Sequence, residues 1–151
     1  MKTPLAPLVL LCLIGLAGCG GPGKSASTEV TTLGKFEVTA RLTQVVGEFP
    51  ANKLYDYVYV MKYEVLQAHR GQGMGRELFV GHYNPLKPRA TVADKFSGKI
   101  GGNVDRFQVG DVHRMALDAP LDQLYMGGVI DKHFHEPGVR YWAIWTERAQ
   151  P

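Results

Sequence analysis

Cysteine is nearly absent. Only Cys12 and Cys19 occur in the 151 residues, and both lie near the start of the chain. A multi-disulfide scaffold and a four-cysteine zinc site are therefore excluded. Charge of one sign is not in excess either: 17 Lys and Arg face 14 Asp and Glu, a net +3. Nucleic-acid affinity needs clustered surplus cation, so no nucleic-acid partner is expected. Serine is limited to Ser25, Ser27 and Ser97, none of them in a G-x-S-x-G elbow. No H-E-x-x-H is present, and Gly71-Gln72-Gly73-Met74-Gly75-Arg76 lacks the Lys-Ser/Thr ending of a phosphate-binding loop. These missing templates point away from an enzyme, and no cofactor is expected. What the chain does have is 45% hydrophobic and 21% charged residues, an ordinary mixture for one folded domain.

The N-terminus is built differently from the rest. Lys2 is followed by an apolar stretch from Leu5 to Ile14, broken only by Pro7. A helix that spans ~30 Å of hydrocarbon needs ~20 apolar residues; this run is shorter and fits the core of a secretory leader. It ends in Leu16-Ala17-Gly18-Cys19. That tetrapeptide resembles a bacterial lipobox. The resemblance implies a leader over residues 1–18 and a lipid-modified Cys19 as the new N-terminus. The mature chain would then hold no free thiol, disulfide or thiolate ligand. Its lipid would anchor it to a cell or outer membrane with the domain outside the cytoplasm, in the periplasm of a double-membraned bacterium. Gly20 rather than Asp follows Cys19, which by the same resemblance favours outer-membrane sorting.

Gly20 to Thr28 (GGPGKSAST) is Gly/Ser-rich and reads as a flexible tether, so residues 19–29 link the anchor to a domain at 30–149. From Val30 onward the pattern is that of strands. Phe36, Val38, Ala40 and Leu42 alternate with Glu37, Thr39, Arg41 and Thr43, a half-buried strand. Leu54 to His69 is rich in Tyr and Val, with Tyr57, Tyr59, Met61 and Tyr63 on one face and Val58 and Val60 on the other. A strand apolar on both faces is covered on both or curls sharply. Glu77 to Asn84 predicts a third strand with a bulge at Gly81, Val112 to Leu117 a fourth, and Val139 to Glu147 a last. Ala119 to Tyr125 predicts a short helix. Five curled strands without βαβ spacing predict a mainly β domain, a small five-stranded Greek-key barrel of OB type with a long basic loop.

The run YEVLQAHRG, then ELFVGHY, a long loop, and FQVGDVHRMAL resembles the tissue-inhibitor/netrin-module variety of OB fold over about residues 36–118. There, too, a V-x-V-L-x-x-x-x-G strand and turn is followed by F-x-x-G-D. The resemblance implies the barrel and no inhibitory activity; the disulfides of the animal members are missing. The chain also resembles bacterial envelope lipoproteins.

Three groups of residues are candidates for chemistry. His133 and His135 stand at i and i+2 and would share one face of a strand. With one or two of His82, His113, Asp111 and Glu136 they suggest a metal site; the plain alternative is a solvated turn. The loop from Asn84 to Arg106 carries Lys87, Arg89, Lys95, Lys99 and Arg106 against Asp94 and Asp105. A cationic loop of this length suits a carboxylate or phosphate, or is simply a soluble connection. Tyr57, Tyr59 and Tyr63 with Tyr141, Trp142 and Trp145 form either a sugar-stacking platform or core. The expected function is a non-enzymatic, lipid-anchored envelope module that binds a protein or glycan partner through the basic loop. The alternative is a metal-binding lipoprotein or metal-dependent hydrolase built on His133 and His135.

Overall fold

A computed structural model describes residues 26–51, 55–92 and 100–150. The chain order is α1 (Thr28–Thr32), β1 (Phe36–Gln44), β2 (Tyr57–Arg70), β3 (Glu77–Tyr83), β4 (Gly101–Gly102), β5 (Val112–Asp118), α2 (Leu121–Leu124), β6 (Gly128–Ile130) and β7 (Arg140–Arg148). The leader, Cys19, Lys95 and Lys99 lie outside the described residues.

Five strands close on themselves. β1 pairs antiparallel with β2 and with β5, β2 antiparallel with β3, β3 parallel with β7, and β7 antiparallel with β5. The ring β1-β2-β3-β7-β5 is the expected five-stranded Greek-key barrel of OB type. Side chains at period two fill it: Val38, Ala40 and Leu42 from β1, Tyr59, Met61 and Tyr63 from β2, Leu78 and Val80 from β3, Met115 and Leu117 from β5, Ala143 from β7. Three register shifts on the β1–β2 ladder let these strands curl around so small an interior.

The double-sided apolar pattern of β2 has the cause expected of it. The outward Val58 and Val60 are covered by a second cluster containing Phe79, Tyr83, Val92, Leu121, Tyr125, Phe134 and Trp142. Tyr125 stacks on Trp142 at 5.2 Å, which fixes the chain following α2 against β7. Beyond Met61 the cover ends, and Glu64 to His69 are mostly exposed.

Gly81 is not a bulge. It sits in continuous register opposite Val60. A Cβ there would lie 2.6 Å from Val58 Cγ1 and 2.8 Å from Leu121 Cδ2, so glycine lets α2 approach the strand. Gly102 plays the same part for β4, with its φ of +134° and a Cβ position only 1.8 Å from the Thr146 carbonyl oxygen.

Besides the two-residue β4, which lies inside the stretch read as a loop, two elements escape the sequence patterns. Ser27 and Thr28, which composition assigns to the tether, begin α1: the Ser27 hydroxyl accepts from Val30 N–H at 3.3 Å, and Ser27 N–H donates to Glu147 at 3.2 Å. Val30 is fully buried. Arg70 donates to the carbonyls of Thr31 and Leu33, which closes the far end of the helix. The second is β6, three residues that pair parallel with Tyr57–Tyr59.

Candidate functional site

β2 is long enough to serve two partners on one edge. Its residues 62–70 face β1, and residues 57–59 face β6, while β3 pairs with residues 58–64 on the other edge. β1 leaves this edge at Gln44 and the chain turns away through Gly47. A gap opens between the β1–β2 loop and β6. It is a cleft of about 340 Å³ lined by Gly47, Glu48, Pro50, Tyr59 and the run from Val129 to His133.

The walls are held from below. Tyr59 donates its hydroxyl to the Val46 carbonyl, and Tyr57 donates to the Pro50 carbonyl at 2.9 Å. These phenols tie the loop to β2; burial pushes both upward from their usual pKa. On the opposite wall Arg140 donates from Nε to Asp131 at 2.7 Å and from its other nitrogens to the Phe134, Glu136 and Gly138 carbonyls. One guanidinium thus folds the whole 131–138 turn, and it lies 4.3 Å from the centre of the Phe79 ring. Asp131 keeps one oxygen, Oδ1, without a hydrogen-bond partner among the described residues. The ring of His133 lies tilted beside Tyr59, 6.4 Å between centres. A Cβ at Gly47 would stand 3.1 Å from His133 Nε2, so the glycine leaves that nitrogen room. The cleft therefore offers carboxylates, an ammonium and an imidazole around one aromatic wall.

The residues picked from sequence are scattered by the fold. His133 lines the cleft, but His135 is exposed and outside its lining. His82 and His113 are fully buried in the barrel. Among the described residues no group of three or more His, Cys, Asp or Glu is arranged to hold a metal ion. The basic loop divides as well. Lys87 is exposed and lies 3.7 Å from Asp56, and Arg106 is exposed, whereas Arg89 is 2% exposed and turned inward. A buried guanidinium presents no charge to a partner, so the loop is less cationic on its surface than its composition. The aromatic platform resolves mainly into core: Tyr57, Tyr59, Tyr63, Tyr141 and Trp142 are all buried.

Arg89, His82 and His113 meet around Tyr63. The Tyr63 hydroxyl oxygen lies 3.0 Å from His82 Nε2 and 3.2 Å from His113 Nδ1. One phenol can donate to one imidazole and accept from the other, so both contacts are satisfied together. The far nitrogens, His82 Nδ1 and His113 Nε2, have no hydrogen-bond partner among the described residues; Asp111 stands 3.9 Å from the latter. Arg89 donates to the Asn84 and Lys87 carbonyls at 2.5 and 3.0 Å, and its plane lies 5.4 Å from the Phe107 ring centre. Its Nε is unpartnered, and no carboxylate among the described residues pairs with it. Burial lowers Arg89 to about 10 and His113 to about 4, holds His82 well below the usual imidazole range, and drives Tyr63 well above the usual phenol range. At neutral pH the cluster is one cation among neutral rings.

Neither the cleft nor this cluster was readable from spacing. The cleft is made by where β1 departs and β6 arrives. The only sequence sign of the cluster is that His82 and His113 occupy inward positions of strands that otherwise present Leu, Val and Met. Comparison of the chain with protein-family models, with characterised proteins and with solved structures returns no match.

Proposed function

We propose that this chain is a non-enzymatic binding module, anchored through lipid on Cys19 to a bacterial envelope membrane and standing in the extracytoplasmic space. Its binding site is the cleft between the β1–β2 loop and β6, and a glycan is the favoured partner over a protein. The observation that carries this reading is the cleft itself: about 340 Å³, beside the one barrel edge where β1 gives way to β6. Barrels of this type take oligosaccharides and oligonucleotides between the loops that flank this region. A net charge of only +3 disfavours a polyanionic nucleic acid. Side chains of both signs, Glu48, Asp131, Lys132 and His133, around Tyr59 suit the hydroxyls and the apolar ring face of a sugar.

The test is an NMR titration of the full chain with neutral, N-acetylated and uronate disaccharides. Shift changes confined to 47–50 and 129–133, and lost in His133→Ala, are expected. Saturating glycan that leaves those signals unmoved would rule out the sugar. Intact-mass analysis from the native host tests the anchor separately: an unacylated Cys19 removes the membrane from this reading and leaves the cleft.

A further inference from the structure

The barrel interior is an unusual place for the three polar groups it holds. His82 and His113 are both 0% exposed, and among the described residues each leaves one ring nitrogen without a partner and Arg89 brings a charge that no carboxylate meets. The groups that face the imidazoles come from several elements. β2 brings Tyr63, the segment 84–92 brings Arg89, the turn before β5 brings Asp111, and the end of β7 brings Arg148. β1 contributes only Val38, Ala40 and Leu42, and β7 adds the phenol of Tyr141. Among the described residues, a proton on His82 would add a second positive charge beside Arg89 in the dry interior, whereas one on His113 would stand between partly exposed Asp111, 3.9 Å away, and the guanidinium of Arg148.

The weakest restraint in the cluster is the segment that brings Arg89. Residues 84–92 contain no helix or strand. Asn84 sits at a φ of +42°, a conformation that L side chains rarely adopt. Its backbone is tied to the body by Asn84 N–H to the Tyr57 carbonyl at 2.9 Å and Arg89 N–H to the Val104 carbonyl at 2.8 Å. By contrast, the strands around it are bonded along both edges.

We propose that Tyr63, His82 and His113 form an acid-sensitive latch, in which protonation of the imidazoles expels Arg89 and frees segment 84–92 from the barrel while the strands stay closed. At neutral pH both rings accommodate Arg89 because they carry no charge. In acid the second and third cations cannot share the pocket with it. Arg89 is the member that can leave, because its backbone belongs to an irregular segment and not to a ladder. The latch does not depend on what fills the cleft or on the lipid anchor.

Hydrogen exchange of the full chain, followed by mass spectrometry at about pH 7 and about pH 5 and corrected for intrinsic rates, tests it. Amides of 84–92 are expected to exchange roughly tenfold or more faster in acid, with β1, β2 and β5 still protected. The double variant His82→Gln with His113→Asn keeps neutral polar groups at both positions and should lose the acid response. Unchanged exchange of 84–92 overturns the proposal. So does simultaneous loss of protection across all strands, or an undiminished response in the double variant. Should that variant not fold, the imidazole NMR signals of the wild-type chain decide. At least one of the two rings must titrate with the same midpoint as the exchange of 84–92, and a mismatch for both overturns the latch.

Discussion

Two clusters in this barrel bury a charge beside arginine, and they do so in opposite ways. On the outer face, Glu37 is 4% exposed and takes Arg114 through two nitrogens at 2.8 and 2.5 Å and Arg70 at 3.1 Å. Arg70 spends its remaining donors on the carbonyls that end α1. Inside, Arg89 is as buried as Glu37 but meets, among the described residues, two carbonyls, an aromatic face and neutral rings. The first cluster joins β1, β2, β5 and α1 through one carboxylate. The second holds a charge that no carboxylate among the described residues neutralises. The difference teaches which buried charge is structural: the one whose removal strands its partners.

The largest effect is therefore expected outside the barrel. Glu37→Gln leaves two guanidinium groups facing each other across β1. Breaking a buried pair by removing one partner costs about 3–5 kcal/mol; Arg70 and Arg114 are about 30% exposed, so the lower end is expected here. Chemical denaturation of the variant should show a lowered midpoint at unchanged slope. A loss of less than about 1 kcal/mol would mean the two clusters are equivalent and the contrast is false.

Acid should act on the inner cluster instead. Unfolded histidine titrates near 6.5, while His113 in the fold is held at about 4. The unfolded chain then binds more protons than the folded one in that interval. Stability should be full above about pH 6.5 and fall as the pH drops toward about 4, by roughly 3 kcal/mol from this residue alone. His82, lowered in the same direction, adds to the loss. Thermal melts across this range check it, and a flat profile between those limits would show that the imidazoles are charged in the fold.

A purely steric change sets the scale for both. Gly81→Ala places a methyl 2.6 Å from Val58 and 2.8 Å from Leu121. Overpacking of this kind costs about 1–3 kcal/mol, and the cost should vary little with pH because the atoms the methyl meets, on Val58 and Leu121, are apolar. A melting temperature unchanged by this substitution would show that α2 yields freely.

How much of this was legible beforehand follows from what alternation encodes. The inward Val38, Ala40 and Leu42, the inward Tyr57 to Tyr63 and the double cover of β2 were readable, because side-chain direction alternates whatever the strand pairs with. The helix at 121–124 followed from Pro120 at its start and Gly127 beyond its end. β6 was not readable: Gly128-Val129-Ile130 is too short to show a period. Nor was the fate of Arg89. Composition counts it as one of five cations in a basic loop, and only tertiary contact turns it toward Phe107. His82 and His113 were read by residue type as ligands, yet they stand 19 and 50 residues from Tyr63, so their meeting on one phenol exists only in three dimensions.

Arg89→Met gives the smallest expected change and the sharpest form of the comparison. Methionine fills a similar volume and removes a cation that no carboxylate among the described residues balances. Replacing buried charge by an apolar side chain of similar size is often neutral or stabilising. Against that stand two lost hydrogen bonds, to Asn84, whose carbonyl also accepts from Lys87 N–H at 3.0 Å, and to Lys87. At neutral pH the two sides nearly cancel, and the denaturation midpoint should move by no more than the equivalent of about 1 kcal/mol. In acid the variant should resist better than the parent, because protonated His82 no longer confronts a guanidinium. A loss at neutral pH as large as that of Glu37→Gln would show that Arg89 holds the barrel together, and the distinction between the two arginine clusters would fall.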